Sequence, residues 1–312
     1  MSADARRFAV ADLGSNSFRL EIDQADDGGA DWQRLQYFKE TVRLGSGLDA
    51  QQRLSGQAMQ RGLACLTRFG QQLAGFAPRQ VRAVATQTLR EARNREDFLA
   101  MARQALGFPI EVITGHEEAR LIYRGVTHFL PAAPERRLVL DIGGRSTELI
   151  IGQGRTAHTC RSLCTGSVTW SMRYFPAGQL SAPAFERAQA AAQAVLEPIR
   201  LSHGRAQWDA AYGASGTAGV VAQVLHLAGR APQPGAITRA GLDWLQARLV
   251  KAGHIQSIDL AGVRENRKPV IAGGLAVLRA VFDLLAIDQL HYIASGLRHG
   301  LLIEMLEPKN GG

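Results

Sequence analysis

Two short segments of the chain carry the same chemistry-bearing residue types in the same order. Asp12-Leu-Gly-Ser-Asn-Ser-Phe-Arg-Leu-Glu-Ile22 aligns without a gap on Asp141-Ile-Gly-Gly-Arg-Ser-Thr-Glu-Leu-Ile-Ile151, at an offset of 129 residues. Asp, Gly, Ser and Leu recur at matching positions. Glycine lets the backbone approach an anion, and successive N–H groups in such a turn form a positive concavity. Serine adds a hydroxyl donor, and the leading Asp can hold a cation or orient water. This is chemistry suited to gripping phosphate. One Asp-x-Gly turn would be an ordinary hairpin; two ungapped copies, each after an apolar strand, are a more specific signal. Ala214-Ser-Gly-Thr217 adds a third small-residue turn before a helix, where backbone donors favour an anion.

These turns need strands and helices to hold them. Phe8–Gly14 reads as a short apolar strand ending in a turn, and Phe18–Ile22 alternates apolar and polar like a half-buried second strand. A third strand is expected near 33–43, a helix over 55–73 capped by Ser55, a strand over 81–86, a helix over 97–106 and a strand over 110–114. The next helix places Ala119, Ile122, Tyr123 and Val126 on one apolar face. Pro131-Ala-Ala-Pro134 reads as a linker. The order then restarts: strand 137–142, Gly turn, return strand 147–151, helix 182–199, strand 209–214, and helices over 217–228, 239–252 and 269–285. Strands alternating with helices imply an α/β class with mixed sheets.

Composition narrows the partners. The 312 residues carry 36 Lys+Arg against 28 Asp+Glu, a net charge of +8, with 46% hydrophobic residues. That apolar share excludes a disordered chain, and the 33 glycines show no third-residue period, which excludes collagen. The length favours two domains. Cys65, Cys160 and Cys164 are too few and too unevenly spaced for a disulfide framework or a zinc site. The first residues lack an apolar leader, and the longest apolar stretch, 270–290, is broken by Arg279, Asp283 and Asp288. It reads as a buried helix. A cytoplasmic protein is expected.

With the motifs taken together, the sequence resembles the exopolyphosphatase / guanosine pentaphosphate phosphohydrolase (Ppx/GppA) family. Besides the two repeats, the resemblance rests on Ala85-Thr-Gln-Thr-Leu-Arg90, Gly115-His-Glu-Glu-Ala-Arg120, Gly166-Ser-Val168, Gly213-Ala-Ser-Gly-Thr217 and Gly296-Leu-Arg-His-Gly300. They run in family order over nearly the whole chain, as a short two-domain form. The resemblance implies two RNase H-like domains of the actin-like / sugar kinase / Hsp70 fold group around a cleft. The expected domains are 1–128 and 129–312, with the last helix free to pack back on the first.

The resemblance also implies roles. Glu118 matches the catalytic glutamate, a general base on the attacking water. Arg90 matches an arginine placed to take a phosphate, counted with the catalytic residues. Glu117 is expected only to complement its helix N-terminus. Asp141 and Glu148 match carboxylates that hold Mg²⁺, a hard ion suited to oxygen ligands. Ser15, Asn16, Ser17, Gly143, Gly144, Arg145, Ser146, Ser215, Gly216, Thr217 and Arg267 match phosphate-binding positions, and Arg93, Arg264 and Lys268 would extend a basic track.

Two residues depart from the family pattern. Arg145 stands where a third glycine is usual, and His299 where an acid is common. The leading expectation is hydrolysis of the terminal phosphate of inorganic polyphosphate. Guanosine pentaphosphate hydrolysis, leaving the tetraphosphate, is the alternative. A kinase of the same fold group and a polyphosphate- or alarmone-binding regulator with a weak site are the remaining readings. Only Arg145 favours the regulator, and Glu118, Asp141 and Glu148 argue against it. Nucleic acid and membrane are not expected partners; a homodimer is compatible with the sequence.

Overall fold

The computed structural model describes residues 7–26 and 32–307. The sequence repeat is a repeat of sheet plan. β1 (Arg7–Leu13) pairs antiparallel with β2 (Phe18–Ala25), and β2 pairs antiparallel with β3 (Trp32–Glu40). β4 (Val81–Ala85) joins β1 in parallel and β5 (Ile110–Val112) joins β4 in parallel, so the order is β3-β2-β1-β4-β5. Between the strands run α1 (Gly56–Gln72), the short α2 (Gln87–Glu91) and α3 (Arg95–Leu106). α1 starts where expected: the Ser55 hydroxyl accepts from the Ala58 N–H, satisfying one of the donors a helix start leaves open. Its buried face, Ala58, Gly62, Cys65, Leu66 and Phe69, follows the helical period.

α4 (Gly115–His128) leads to the second sheet. β6 (Arg136–Ile142), β7 (Thr147–Gln153) and β8 (Thr156–Leu163) form its antiparallel part, and β9 (Ala210–Gly213) joins β6 in parallel. β10 (Ala236–Thr238) and β11 (Gln289–Tyr292) complete the order β10-β11-β9-β6-β7-β8. Apart from β10 at the edge, this repeats the first sheet strand for strand. α5 (Ser167–Tyr174), α6 (Ala182–Leu196), α7 (Arg200–His203), α8 (Ser215–Leu227), α9 (Arg239–Ala252) and α10 (Lys268–Leu285) belong with it, and α11 (Leu297–Leu306) ends the described chain. The α/β class with two mixed sheets agrees with the expected fold.

The chain divides into two compact units. One runs up to Leu121 and includes Leu297 onward; the other is Ile122–Gly296. The division falls inside α4, seven residues before the boundary expected at 128/129, because the second half of that helix packs on the second sheet. There Tyr123 lies against Gly152 of β7. Each unit has its own apolar core: Leu13, Phe18, Leu20, Leu66, Phe69 and Phe98 lead in the first, Leu140, Phe185, Val221, Leu275 and Phe282 in the second. The apolar stretch 270–290 is α10 and the turn into β11, with α10 buried nearly all round. No helix among the described residues is long and apolar enough to cross a membrane. All three cysteines are free thiols. Burial of Cys65 pushes its thiol up to about 12, so it stays protonated and inert.

Candidate phosphate and metal sites on two matching hairpins

In the first unit, the turn between β1 and β2 carries Ser15, Asn16 and Ser17. Neighbouring backbone braces it: Gly45 N–H donates to the Ser15 carbonyl at 2.7 Å and Arg43 N–H to the Asn16 carbonyl at 2.9 Å. The carbonyls are thus occupied, and the side chains of Ser15, Asn16 and Ser17 have no hydrogen-bond partner among the described residues. Such a turn presents donors. At its base Asp12 and Arg19 face each other across the strands, ion-paired at 2.7 Å.

Glu118 and Arg90 come together in the same unit. Arg90 Nη1 donates to Glu118 Oε2 at 2.7 Å and to the Ile113 carbonyl at 3.0 Å. Nε and Nη2 of Arg90 both donate to Gln87 Oε1. Glu118 is 7% exposed. A carboxylate this buried and held on one side keeps a single orientation, which a general base needs. Glu117 points elsewhere: Arg120 grips it through two hydrogen bonds, and these hold its carboxyl below the usual range. That is an i,i+3 ion pair, a partner that the expectation of a helix N-terminal charge did not include. Gln87 is the residue sequence reasoning passed over. It lies within the Ala85–Arg90 motif, three residues before Arg90 on α2, and that spacing was the available signal.

In the second unit, the equivalent turn between β6 and β7 carries Gly143, Gly144, Arg145 and Ser146. Ser167 N–H and Oγ both donate to the Gly143 carbonyl, and Val168 N–H donates to the Gly144 carbonyl. The Gly166–Val168 motif therefore serves as a clamp on the turn. Arg145 is not among the residues with positive φ, so a side chain is tolerated there without strain. The departure from glycine alters the lining of the turn, not its backbone.

Asp141 and Glu148 are direct cross-strand partners on β6 and β7, at the register where the first unit has Asp12 and Arg19. One hairpin matches its Asp with a cation; the other sets two acids opposite each other. Like charges in that position repel. Glu148 is 1% exposed and accepts from Ser162 Oγ at 2.7 Å. Oxygen-only ligands from two strands, one oriented by a neighbouring hydroxyl, fit Mg²⁺, which keeps several waters and shares its shell with phosphate. Ser162 is a supporting residue that the sequence reading missed, since β8 itself was not foreseen.

The third turn opens α8. Ser215 takes φ +76, a left-handed conformation costly for a side-chain residue, and its hydroxyl accepts from Thr217 N–H. Thr217 Oγ1 donates to the Ile142 carbonyl at 2.9 Å, tying this turn to the end of β6. Arg267 lies over Gly216: a Cβ added there would sit 2.1 Å from Arg267 Nη2. Of the proposed basic track, Lys268 is ion-paired with Glu265, while Arg93 and Arg264 are exposed.

Comparison with known proteins follows the same lines. The model of the "Ppx/GppA phosphatase family" matches residues 22–309. This chain belongs to that family. The Ppx/GppA chain is 41% identical over 300 residues to a protein of Vibrio parahaemolyticus named guanosine-5'-triphosphate,3'-diphosphate pyrophosphatase. It is 42% identical over 299 residues to a protein of the same name from Vibrio vulnificus. In both cases 96% of this chain is covered, but the chain spans only 59% of the relative's length. Among solved structures, an exopolyphosphatase from Cytophaga hutchinsonii matches 96% of this chain and 98% of its own, at 25% identity and a TM-score of 0.86.

Proposed function

We propose that this Ppx/GppA chain hydrolyses the terminal phosphoanhydride of guanosine pentaphosphate, releasing phosphate and the tetraphosphate. The observation that carries the hydrolytic part is the buried Glu118 held by Arg90, an oriented carboxylate. The two Vibrio relatives carry the choice of substrate. This reverses the order expected from sequence, where polyphosphate led. Polyphosphate stays as the second reading, favoured by the likeness to the Cytophaga exopolyphosphatase.

In this reading, the donors of Ser15, Asn16, Ser17 and Ser146, and the backbone of Gly143, Gly144 and Gly216, bind phosphate oxygens. Arg145, Ser215, Thr217 and Arg267 add side-chain contacts. Phosphoryl transfer calls for in-line positioning and charge neutralisation more than covalent chemistry. Glu118 orients the attacking water and takes its proton. Arg90 fixes Glu118 and presents positive charge to the developing oxyanion. Asp141 and Glu148 would hold Mg²⁺, which supplies neutralisation of the phosphate oxygens. Phosphate release from guanosine pentaphosphate and from long-chain polyphosphate, measured side by side, tests the proposal. Faster turnover of the nucleotide supports it, and turnover of polyphosphate alone replaces it with the second reading.

A further inference from the structure

Two buried acids in the first unit, Glu21 and Asp23, have no part in the chemistry above. Arg19, Glu21 and Asp23 alternate along one face of β2, opposite Asp12, Val10 and Phe8 of β1. Glu21 is 2% exposed and Asp23 0%. α11 packs against β1 and covers this face. It brings Arg298, whose Nε donates to Glu21 Oε2 at 3.0 Å, and His299, whose Nε2 lies 3.7 Å from Glu21 Oε1. Neither carboxylate oxygen of Asp23 has a hydrogen-bond partner. Arg34 on β3 is the remaining charged neighbour of Asp23, and the Tyr37 ring lies beneath both Arg34 and Arg298. Directly opposite the two acids β1 places the apolar Phe8 and Val10, and its Asp12 is paired with Arg19.

The fold does not require acids here. By the 129-residue offset, Ile150 and Gly152 hold the equivalent places in the second sheet, and Ile150 is fully buried. A carboxyl without a donor in an apolar setting is stable when neutral. Burial, reinforced by Glu21 and opposed by Arg34 and Arg298, pushes Asp23 up to about 7.

We propose that Asp23, beside Glu21 and the α11 residues Arg298 and His299, is a proton-binding site that docks α11 on β2 and thereby positions the first phosphate hairpin, at the start of that strand, through Arg19 and Asp12. With the proton bound, Asp23 is neutral and Glu21, paired with Arg298, is the one charged acid on this face. With the proton lost, two like charges share one buried strand face. α11 is then held less firmly, and the Asp12–Arg19 base of the hairpin loosens with β2. These are positioning residues: they act on the hairpin and touch no substrate.

Amide exchange on the whole chain tests this directly. Protection factors in α11 and at residues 14–17 should fall about tenfold or more between about pH 6 and pH 8.5 in the wild type, and stay within about twofold in Asp23→Asn. Equal falls in both proteins, or none in the wild type, overturn the inference. A ¹³C-carboxyl titration of the wild type keeps the test independent of the variant's folding. Asp23 should titrate near neutrality, and a midpoint in the ordinary carboxylate range overturns the inference. One consequence rests on the proposed function: KM for guanosine pentaphosphate should rise with pH in the wild type at steady kcat, and stay level in Asp23→Asn. A level wild-type KM while α11 loses protection would refute the link to the hairpin. A wild type that turns over no nucleotide would instead sink the functional proposal, with the exchange result still deciding this one.

Discussion

Gly216→Ala is a small change with a calculable consequence. The added methyl would lie 2.1 Å from Arg267 Nη2 and 2.8 Å from its Cζ. Carbon and nitrogen rest at roughly 3.4 Å or more, so the guanidinium must retreat by about 1 Å. These guanidinium atoms are the far end of a long side chain, so the fold can yield and stability should change by less than about 1 kcal/mol. Catalysis has less latitude, since a displacement of about 1 Å in a positioning group can cost ~10²-fold. Gly216→Ala should therefore lower kcat/KM for guanosine pentaphosphate by roughly 10- to 100-fold, or about 1.4–2.8 kcal/mol. Arg267→Ala should cost a similar amount. The double variant should cost little more than either alone, because both act on the same guanidinium. Steady-state kinetics on the four proteins give the cycle. Additive losses would show that the methyl acts elsewhere, and an unaffected Gly216→Ala would remove Arg267 from the phosphate site.

Two further outcomes concern the first unit. In Gly300→Ala the new Cβ would sit 2.0 Å from the Leu121 carbonyl oxygen, a backbone atom that cannot swing aside. The variant should lose about 1–3 kcal/mol and several degrees in Tm, and an unchanged melting curve would contradict the packing of α11 on α4. Asp23→Asn should alter the pH dependence of stability. The folded protein binds a proton at Asp23 that the unfolded chain releases near 3.8, so wild-type stability falls as pH rises from about 4 to about 7 and is level beyond. Allowing for solvent screening, the loss is about 2–4 kcal/mol. Asn removes it, so the variant should melt near the wild type at low pH and above it at pH 8; parallel curves would refute the buried charge.

Much of the fold was legible because local signals and tertiary burial agree. The Ser55 cap, the 3.6-residue stripe of α4 and the limits of α9 all follow from residues close in sequence. β8 and α5 were not foreseen: Thr156–Leu163 is a half-exposed strand with a weak apolar alternation, and α5 is short. The alternation of Phe18–Ile22 correctly marks a strand, but it places Glu21 toward water. The structure buries Glu21 because α11, some 276 residues later, covers that face. No local pattern encodes a cover that distant. The pairing of candidate residues was readable where one motif contains both partners, as for Asp141 and Glu148 at a spacing of seven. It was not readable where support crosses elements, as for Gln87 beneath Arg90 or Ser162 beside Glu148.

The central claim is most directly tested by phosphate release from guanosine pentaphosphate, with Mg²⁺, by the wild type and by Glu118→Gln. The wild type should release one phosphate per nucleotide, leave the tetraphosphate, and exceed its kcat/KM on polyphosphate. Glu118→Gln should bind the nucleotide normally and turn it over ~10²-fold or more slowly. Near-wild-type turnover in Glu118→Gln, or a wild type that binds the nucleotide and never releases phosphate, would contradict the account.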